Sequence, residues 1–278
     1  MNKLLPVGLI ASGRMTESLL IRYPLLTRDF GPVVASSRRL ASRYANALKA
    51  GHAAEVKELG QCRLVLIQAP ALELSGIVST LTSSPISWKS KVVALLDDDL
   101  DATELQPLHE RRAAVGSVAL APMRDRGRLV VEGDTAAVRL LHQWAAPARL
   151  ECIELKARSK ALYGAGLMAA SSLFAPVLDC ASRSLRAAGL TQVEARQMLT
   201  LLVELALRGQ RVRSRKAWPG PASMWRRPSV LRHIRALAEV DRGLAAFYQR
   251  SLSAALDYEG QESGWLSEPL SPSRHGTD

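Results

Sequence analysis

Apolar residues in the first half of the chain fall into short runs separated by amphipathic stretches. The run around Val7-Gly8-Leu9-Ile10 predicts a strand over 5–10. Residues 14–23 follow with Met15, Leu19 and Leu20 at helical spacing, stopped by Pro24. The alternation repeats. Strands are expected over 32–36, 63–69, 91–96, 115–120 and 129–132, and helices over 40–49, 72–81, 102–112 and 135–145. The nearly continuous apolar run at 63–69 reads as a strand buried on both faces. Asp101 and Glu104 give the 102–112 helix a capping-box-like start, and Pro107 should kink or split it. Strand and helix in near-strict alternation mean βαβ units and a parallel sheet.

After a last β-like run at 150–155 the pattern becomes helical. Residues 159–187 read as one long helix, kinked at Pro176 and closed by Gly189. Thr191-x-x-Glu194 opens another through 207, and 228–240 and 244–258 give two more. Everything past Gly260 is polar and rich in Ser, Pro and Gly. The expected fold class is therefore α/β: a Rossmann-like, mostly parallel sheet domain over 1–150, an all-helical domain over 151–260, and a flexible tail over 261–278.

With 278 residues and 47% of them hydrophobic, the chain can bury two ordinary cores and is no disordered polymer. Cys62, Cys152 and Cys180 form no CxxC, and the five histidines lack metal-ligand spacing. Both facts argue against a disulfide framework or a metal site and fit a reducing cytoplasm. The net charge of +11 comes mostly from arginine, since only 8 of 37 basic residues are lysine. One stretch, Arg208 to Arg235, contains no acid and could grip phosphate. It lacks aromatic interleaving beyond Trp218 and Trp225, which argues against nucleic acid as a partner. Residues 161–178 carry no charge, long enough to suggest a membrane span. Tyr163, two glycines, two serines and Pro176 favour a helix buried in protein instead, with no membrane.

The stretch after the first strand holds the candidate chemistry. In a dinucleotide-binding unit this turn carries G-x-G-x-x-G, because a Cβ would block the turn and the approach of a pyrophosphate. Here the three positions are Ala11, Gly13 and Thr16, so only the middle glycine is present. Gly8, Ala11, Ser12, Gly13, Arg14 and Met15 are the expected cofactor-binding residues of this turn. The second strand ends in Ser36-Ser37-Arg38-Arg39, where NAD sites carry an acid for the ribose 2′-hydroxyl. Two hydroxyls and two guanidiniums suit a 2′-phosphate, so NADP is expected over NAD. Ala69 and Pro70, after the third predicted strand, complete the expected nucleotide site.

The order Val7-Gly8-Leu9-Ile10, Ser36-Ser37-Arg38, Leu64-Val65-Leu66-Ile67-Gln68-Ala69-Pro70 and Val130-Val131-Glu132-Gly133-Asp134 resembles a family of oxidoreductases assigned from sequence. Its members join a Rossmann-like domain to a helical C-terminal domain of unknown function. They are distantly related to pyrroline-5-carboxylate reductase, ketopantoate reductase and 6-phosphogluconate dehydrogenase. Tyr163-Gly164-Ala165, Ala170-Ser171-Ser172, Ala187-Ala188-Gly189-Leu190-Thr191 and Gly220-Pro221 are similar too, so the resemblance covers about residues 4–258. It implies a nucleotide at the Gly13 turn, a substrate cleft between domains, and a homodimer through the C-terminal helices. The chain departs from the family where polar or histidine positions are expected, showing Leu96-Asp97-Asp98-Asp99, Ala121-Pro122 and Tyr163-Gly164.

Reduction of a carbonyl needs a proton donor beside it. Lys160, with Tyr163 second, is the expected catalytic residue, since related dehydrogenases use a lysine on the corresponding helix. A structural alternative satisfies Lys160 through Glu151 or Glu154. Asp97, Asp98 and Asp99 read chiefly as turn and cap residues. Two functions follow: an NADP-dependent oxidoreductase of a small carbonyl or imine, or a catalytically degenerate binding or scaffold protein on the same fold.

Overall fold

The computed structural model describes residues 6–14, 18–122, 127–211 and 227–267. Contacts divide the chain into two compact units, Met1–Leu167 and Met168–Asp278. The boundary lies later than 150 because the run after Leu150 forms a sheet strand, and the helix beyond it is rooted in the same unit.

The first unit is built on one sheet. Among the described residues its strands are β1 (Val7–Ala11), β2 (Phe30–Val34), β3 (His52–Ala53), β4 (Leu64–Gln68), β5 (Val92–Leu96), β6 (Ala114–Leu120), β7 (Arg128–Gly133) and β8 (Glu151–Glu154). They lie in the order β3-β2-β1-β4-β5-β6-β7-β8, parallel throughout except for the antiparallel β6–β7 pair. The expected Rossmann-like α/β fold is observed. Strand order reverses between β1 and β4, the place where open parallel sheets bind ligands.

Alternate residues of the central strands enter two separate cores. Leu9 and Leu66 join helices α2 (Arg38–Leu48) and α5 (Thr135–Ala145) on one face. Ile10 and Ile67 join α3 (Ala71–Ser83) and α4 (Gln106–Glu110) on the other. Two-sided coverage explains why these strands are apolar throughout, save for Gln68 at the end of β4. Each buried indole finds a carbonyl: Trp144 Nε1 donates to Leu26 O at 2.9 Å, and Trp88 Nε1 to Leu81 O at 3.2 Å.

Three expected helices differ. The first is reduced to α1 (Leu19–Arg22), capped by the Ser18 hydroxyl, which accepts from Leu20 N at 3.2 Å. Met15, Thr16 and Glu17 lie outside the described residues. The 102–112 helix splits into a 3-10 turn, Ala102–Leu105, and α4, because Pro107 has no N–H to continue the ladder. The long 159–187 helix divides into α6 (Lys160–Ala170) and α7 (Phe174–Ala187). The break falls at 171–173, ahead of Pro176. A proline ring collides with the carbonyl four residues earlier, Ser172 here, and is tolerated only in a helix's first turn.

In the second unit α7 packs with α8 (Gln192–Arg211) and α10 (Arg242–Tyr258), and α9 (Arg227–Val240) pairs with α10. Cys180, Ile234, Leu237, Leu244 and Leu252 form its core. The Thr191–Glu194 capping box is present: Thr191 N donates to Glu194 Oε2 at 2.8 Å, and Glu194 N to Thr191 Oγ1 at 3.3 Å. Gly189, at φ +100, closes α7. Most of the Arg208–Arg235 stretch lies outside the described residues, as do 268–278 of the expected tail.

The apolar stretch 161–178 is not buried as expected. Leu162, Met168, Leu173 and Val177 are exposed, and Met198, Leu201, Leu202 and Leu205 of α8 are exposed as well. Residues 160–187 pass a composition test for a membrane span. The break at 171–173 leaves helices of 11 and 14 residues, each short of the ~20 that a span needs.

Candidate functional site

The C-terminal ends of β1, β4, β5 and β6 surround a cleft of ≈ 610 Å³. Each connection contributes to its wall: Ser12, Gly13 and Arg14 after β1, Ala69 and Pro70 after β4, Asp97 and Asp98 after β5, and Ala121 and Pro122 after β6. Ser18, Arg22 and Gln68 add polar groups. The sheet register sets the floor, pairing Ile10 with Ile67 and Ala11 with Gln68.

Gly13 is the residue on which this wall turns. Its φ is +75, and a Cβ there would lie 3.0 Å from Pro70 Cγ. A side chain would be strained by the backbone and would press on the opposite wall. The Gly13 carbonyl accepts from Tyr44 Oη at 2.8 Å, which ties the turn to α2. Ser12 N donates to Gln68 O at 2.8 Å, and the Ser12 hydroxyl donates to Glu73 of α3. Ser18 Oγ donates to Gln68 Oε1 at 2.6 Å.

The other members of the expected turn serve differently. Gly8 lies mid-strand, away from the cleft, and a Cβ there would come within 2.6 Å of Leu59 Cδ2. It is a packing glycine. Ala11 keeps ordinary strand conformation in the core, so replacing a glycine there strains nothing. Arg14 lines the cleft, and Met15 lies outside the described residues.

Ser36, Ser37 and Arg38 line a second cavity of ≈ 460 Å³ at the end of β2, and Arg39 is exposed beside it. Ser37 Oγ caps α2 by accepting from Leu40 N at 3.2 Å. The two cavities meet the needs of a dinucleotide cofactor in part. The Gly13 turn is a cradle that a Cβ would fill, and Arg38 offers a guanidinium at the second strand. Among the described residues, the helix that follows the turn, α1, has only 4 residues, too few to offer the aligned N-terminus that usually faces a pyrophosphate. The guanidiniums of Arg14 and Arg22 supply positive charge in its place.

Lys160, the leading catalytic expectation, does not line the cleft. It is 1% exposed, and all three of its protons are committed. Nζ donates to Asp97 O, to Leu100 O at 2.8 Å and to Ser117 Oγ at 3.1 Å. Ser117 in turn donates to Glu132 Oε1 at 2.8 Å, and Glu132 accepts from Ala102 N at 2.7 Å and Arg158 N at 3.1 Å. Burial lowers the Lys160 pKa, opposed by the carboxylates of Asp97, Glu132, Asp98 and Asp101. Glu151 and Glu154, the alternative partners, pair instead with Arg128 and His142, each at 2.8 Å.

The lysine acts as a clamp on the 97–100 connection that carries Asp97 and Asp98 into the cleft. Asp97 Oδ1 accepts from Asp99 N and Leu100 N, both at 2.7 Å, so the turn role expected for this aspartate is observed. Tyr163, the second catalytic expectation, stands one turn along α6 and is likewise not among the residues lining the cleft; its pKa is raised by burial and by the Asp98 carboxylate. Ser117 and Glu132 escaped the sequence reading as a pair. The available signal was an acid inside the otherwise apolar β7 segment Leu129-Val130-Val131-Glu132.

These features define a class: a Rossmann-type sheet unit with a glycine turn at its switch point, joined to a helical unit. Residues 128–255 match the family described as a domain of unknown function, DUF2520. That agrees with the resemblance seen in the sequence, a Rossmann-like domain followed by a helical domain of unknown function. No curated protein matches the chain. Among solved structures, the chain is similar to an imine reductase from Aspergillus terreus in complex with NADPH4 and a dibenzazepine. That likeness has TM-score 0.63 and 14% identity, covering 95% of this chain and 99% of that one. A reductive aminase from the same organism, also with NADPH4, aligns with TM-score 0.60 and 14% identity over 95% and 98% of the two chains. A Bacteroides fragilis chain provisionally described as an NADP oxidoreductase gives 0.60 and 15%, over 92% and 98%. Identities this low establish the shared fold.

Replacing Lys160 by Met should cost about 3–5 kcal/mol, because Glu132 is left as an uncompensated buried carboxylate. Adding Glu132→Gln should recover part of that loss. Urea denaturation measures both, and a single variant as stable as the native chain would dismiss the clamp.

Proposed function

We propose that this chain is an NADP-dependent oxidoreductase of a small carbonyl or imine substrate. The carrying observation is Gly13, held at positive φ against Pro70 where β1 and β4 diverge, on the wall of the ≈ 610 Å³ cleft. The fold shared with reductases in complex with NADPH4 supports the reading. On it, Gly13 and the Arg14 and Arg22 guanidiniums hold the pyrophosphate, and Arg38 holds the 2′-phosphate. Bound NADPH supplies the hydride.

The protein's own part is proton delivery. With Lys160 withdrawn, Tyr163 is the proposed donor: its phenol carries a proton at neutral pH as any tyrosine does, and burial, with the Asp98 charge second, raises its pKa further. A second reading, a nucleotide-binding protein without turnover, is favoured by one observation, the complete engagement of the Lys160 ammonium.

A homodimer belongs to the proposal as well. The exposed Met198, Leu201, Leu202 and Leu205 on α8, with Met168 and Leu173 before it, form more apolar surface than a monomer ordinarily leaves in water. A second copy would cover it. A reducing cytoplasm fits the free thiols of Cys62, Cys152 and Cys180.

Calorimetric titration tests the cofactor. NADPH should bind more tightly than NADH, Gly13→Asp should abolish both, and Arg38→Glu should weaken NADPH about tenfold more than NADH, the scale of one lost charge-assisted contact. Equal losses for the two nucleotides would remove the 2′-phosphate assignment. Once a carbonyl or imine screen finds turnover, Tyr163→Phe should lower kcat about 10²–10⁴-fold with NADPH affinity unchanged. An unaltered rate would clear the tyrosine. Light scattering should give twice the 30.2 kDa chain mass, and Leu201→Glu with Leu205→Glu should halve it. A native monomer at micromolar concentration would count against the dimer.

A further inference from the structure

The cavity at the end of β2 is built by two connections. Ser36, Ser37 and Arg38 come from the β2–α2 junction, and Glu55 and Lys57 come from the segment after β3. In many nucleotide sites the end of β2 itself carries the carboxylate that accepts a ribose 2′-hydroxyl. Here that position holds serine and arginine, and the carboxylate arrives from the neighbouring connection. The parallel pairing of β2 with β3, Pro32 opposite His52 and Val33 opposite Ala53, brings it there. Ala54 N donates to Val33 O at 2.9 Å, which fixes the start of this connection against β2.

The charges in this cavity are mixed. Lys57 Nζ lies 2.8 Å from Glu55 Oε2, with the two side chains 71% and 64% exposed. Glu55 has its pKa lowered mainly by the Lys57 hydrogen bond and charge, and Arg38 adds to the effect. So the carboxylate stands in the field of both cations. An ion pair this exposed is weak and opens readily. A phosphate dianion offers both cations a stronger partner than a single carboxylate does.

We propose that Lys57 is a second cation for an adenosine 2′-phosphate beside Arg38, and that Glu55 competes with the phosphate for both. The Glu55–Lys57 pair then sets how strongly the site prefers a 2′-phosphate over a 2′-hydroxyl. This rests on the nucleotide reading above. It assigns the choice of cofactor to the connection after β3, shared with β2, and makes the preference for NADP moderate.

The test uses the full chain and two probes that isolate this end of the nucleotide, adenosine 2′,5′-bisphosphate and 5′-AMP, with affinities measured by calorimetry. Lys57→Gln should weaken the bisphosphate about tenfold and AMP less than about twofold, the pattern of one lost charge-assisted contact. Glu55→Gln should tighten the bisphosphate about fivefold as a competing like charge is removed. Thermal melts of both variants should stay close to the native chain, since both side chains are solvent-exposed and a glutamine at 55 can still accept the capping hydrogen bond that Glu55 takes from the Glu58 backbone. If Arg38→Gln collapses the preference but neither of the other variants moves it, the nucleotide reading stands and the Glu55–Lys57 assignment falls. If the native chain binds neither probe nor NADPH, both fall.

Discussion

One buried ammonium organises the working edge of the sheet. Lys160 enters a region where a lone charge would be prohibitively costly, and the chain compensates by spending all three of its protons on fixed acceptors. Two of those acceptors are carbonyls of the connection after β5, and the third leads through Ser117 to Glu132. Glu132 then takes backbone donors from residues 102 and 158. Four segments separated in sequence are thereby fixed to one another: the connection after β5, Ser117 in the middle of β6, Glu132 opposite it on β7, and the start of α6. Asp97 and Asp98 are held in the cleft as a consequence. A lysine that would serve as a proton donor in an open site has here become the peg of the wall.

The glycine turn shows how a binding feature can survive the loss of most of its signature. The three fingerprint positions do unequal work. Ala11 occupies a strand position in ordinary β conformation, where a methyl group packs into the core. Of the two described positions, only Gly13 has positive φ and a close neighbour across the cleft; a glycine is required there, and it is retained. What the short α1 cannot give, the field of an aligned helix, Arg14 and Arg22 provide as full charges.

Periodicity in the sequence revealed the fold because two-sided burial leaves a strong imprint: β1 and β5 are apolar at every position and β4 at all but its last, Gln68, and the segments between them read as helices. Boundaries erred where local chemistry outranked periodicity. Pro107 splits the 102–112 helix as expected of it, whereas the long helix breaks at 171–173, ahead of the kink expected at Pro176. The site was less legible. Gly13, Arg14, Ala69 and Pro70 meet on one cleft, and Ser36 to Arg38 on a second cavity, as residues next to strand ends must in a parallel sheet. Lys160 could not be placed correctly, because helical spacing gives the face of a residue and says nothing of which carbonyls lie beneath it. Glu55 and Lys57 were invisible for a similar reason. Their proximity to Arg38 depends on β3 pairing with β2, a two-residue strand that leaves no pattern.

The cleft is electrostatically divided, and the division constrains what it can accept. Guanidiniums stand on its β1 side and carboxylates at its β5 side. A dinucleotide seated at Gly13 can place its phosphates only toward Arg14 and Arg22, since Asp97 and Asp98 would repel them. The nicotinamide end of such a ligand would then be the part left facing the carboxylates. Of the two aspartates, Asp97 spends Oδ1 on its own turn, whereas Asp98 raises the pKa of Tyr163. On the proposed reading, the Tyr163 phenol supplies the proton that hydride reduction of a carbonyl or imine consumes. That chemistry needs no histidine, so the absence of histidine from the cleft's described lining is no obstacle to catalysis.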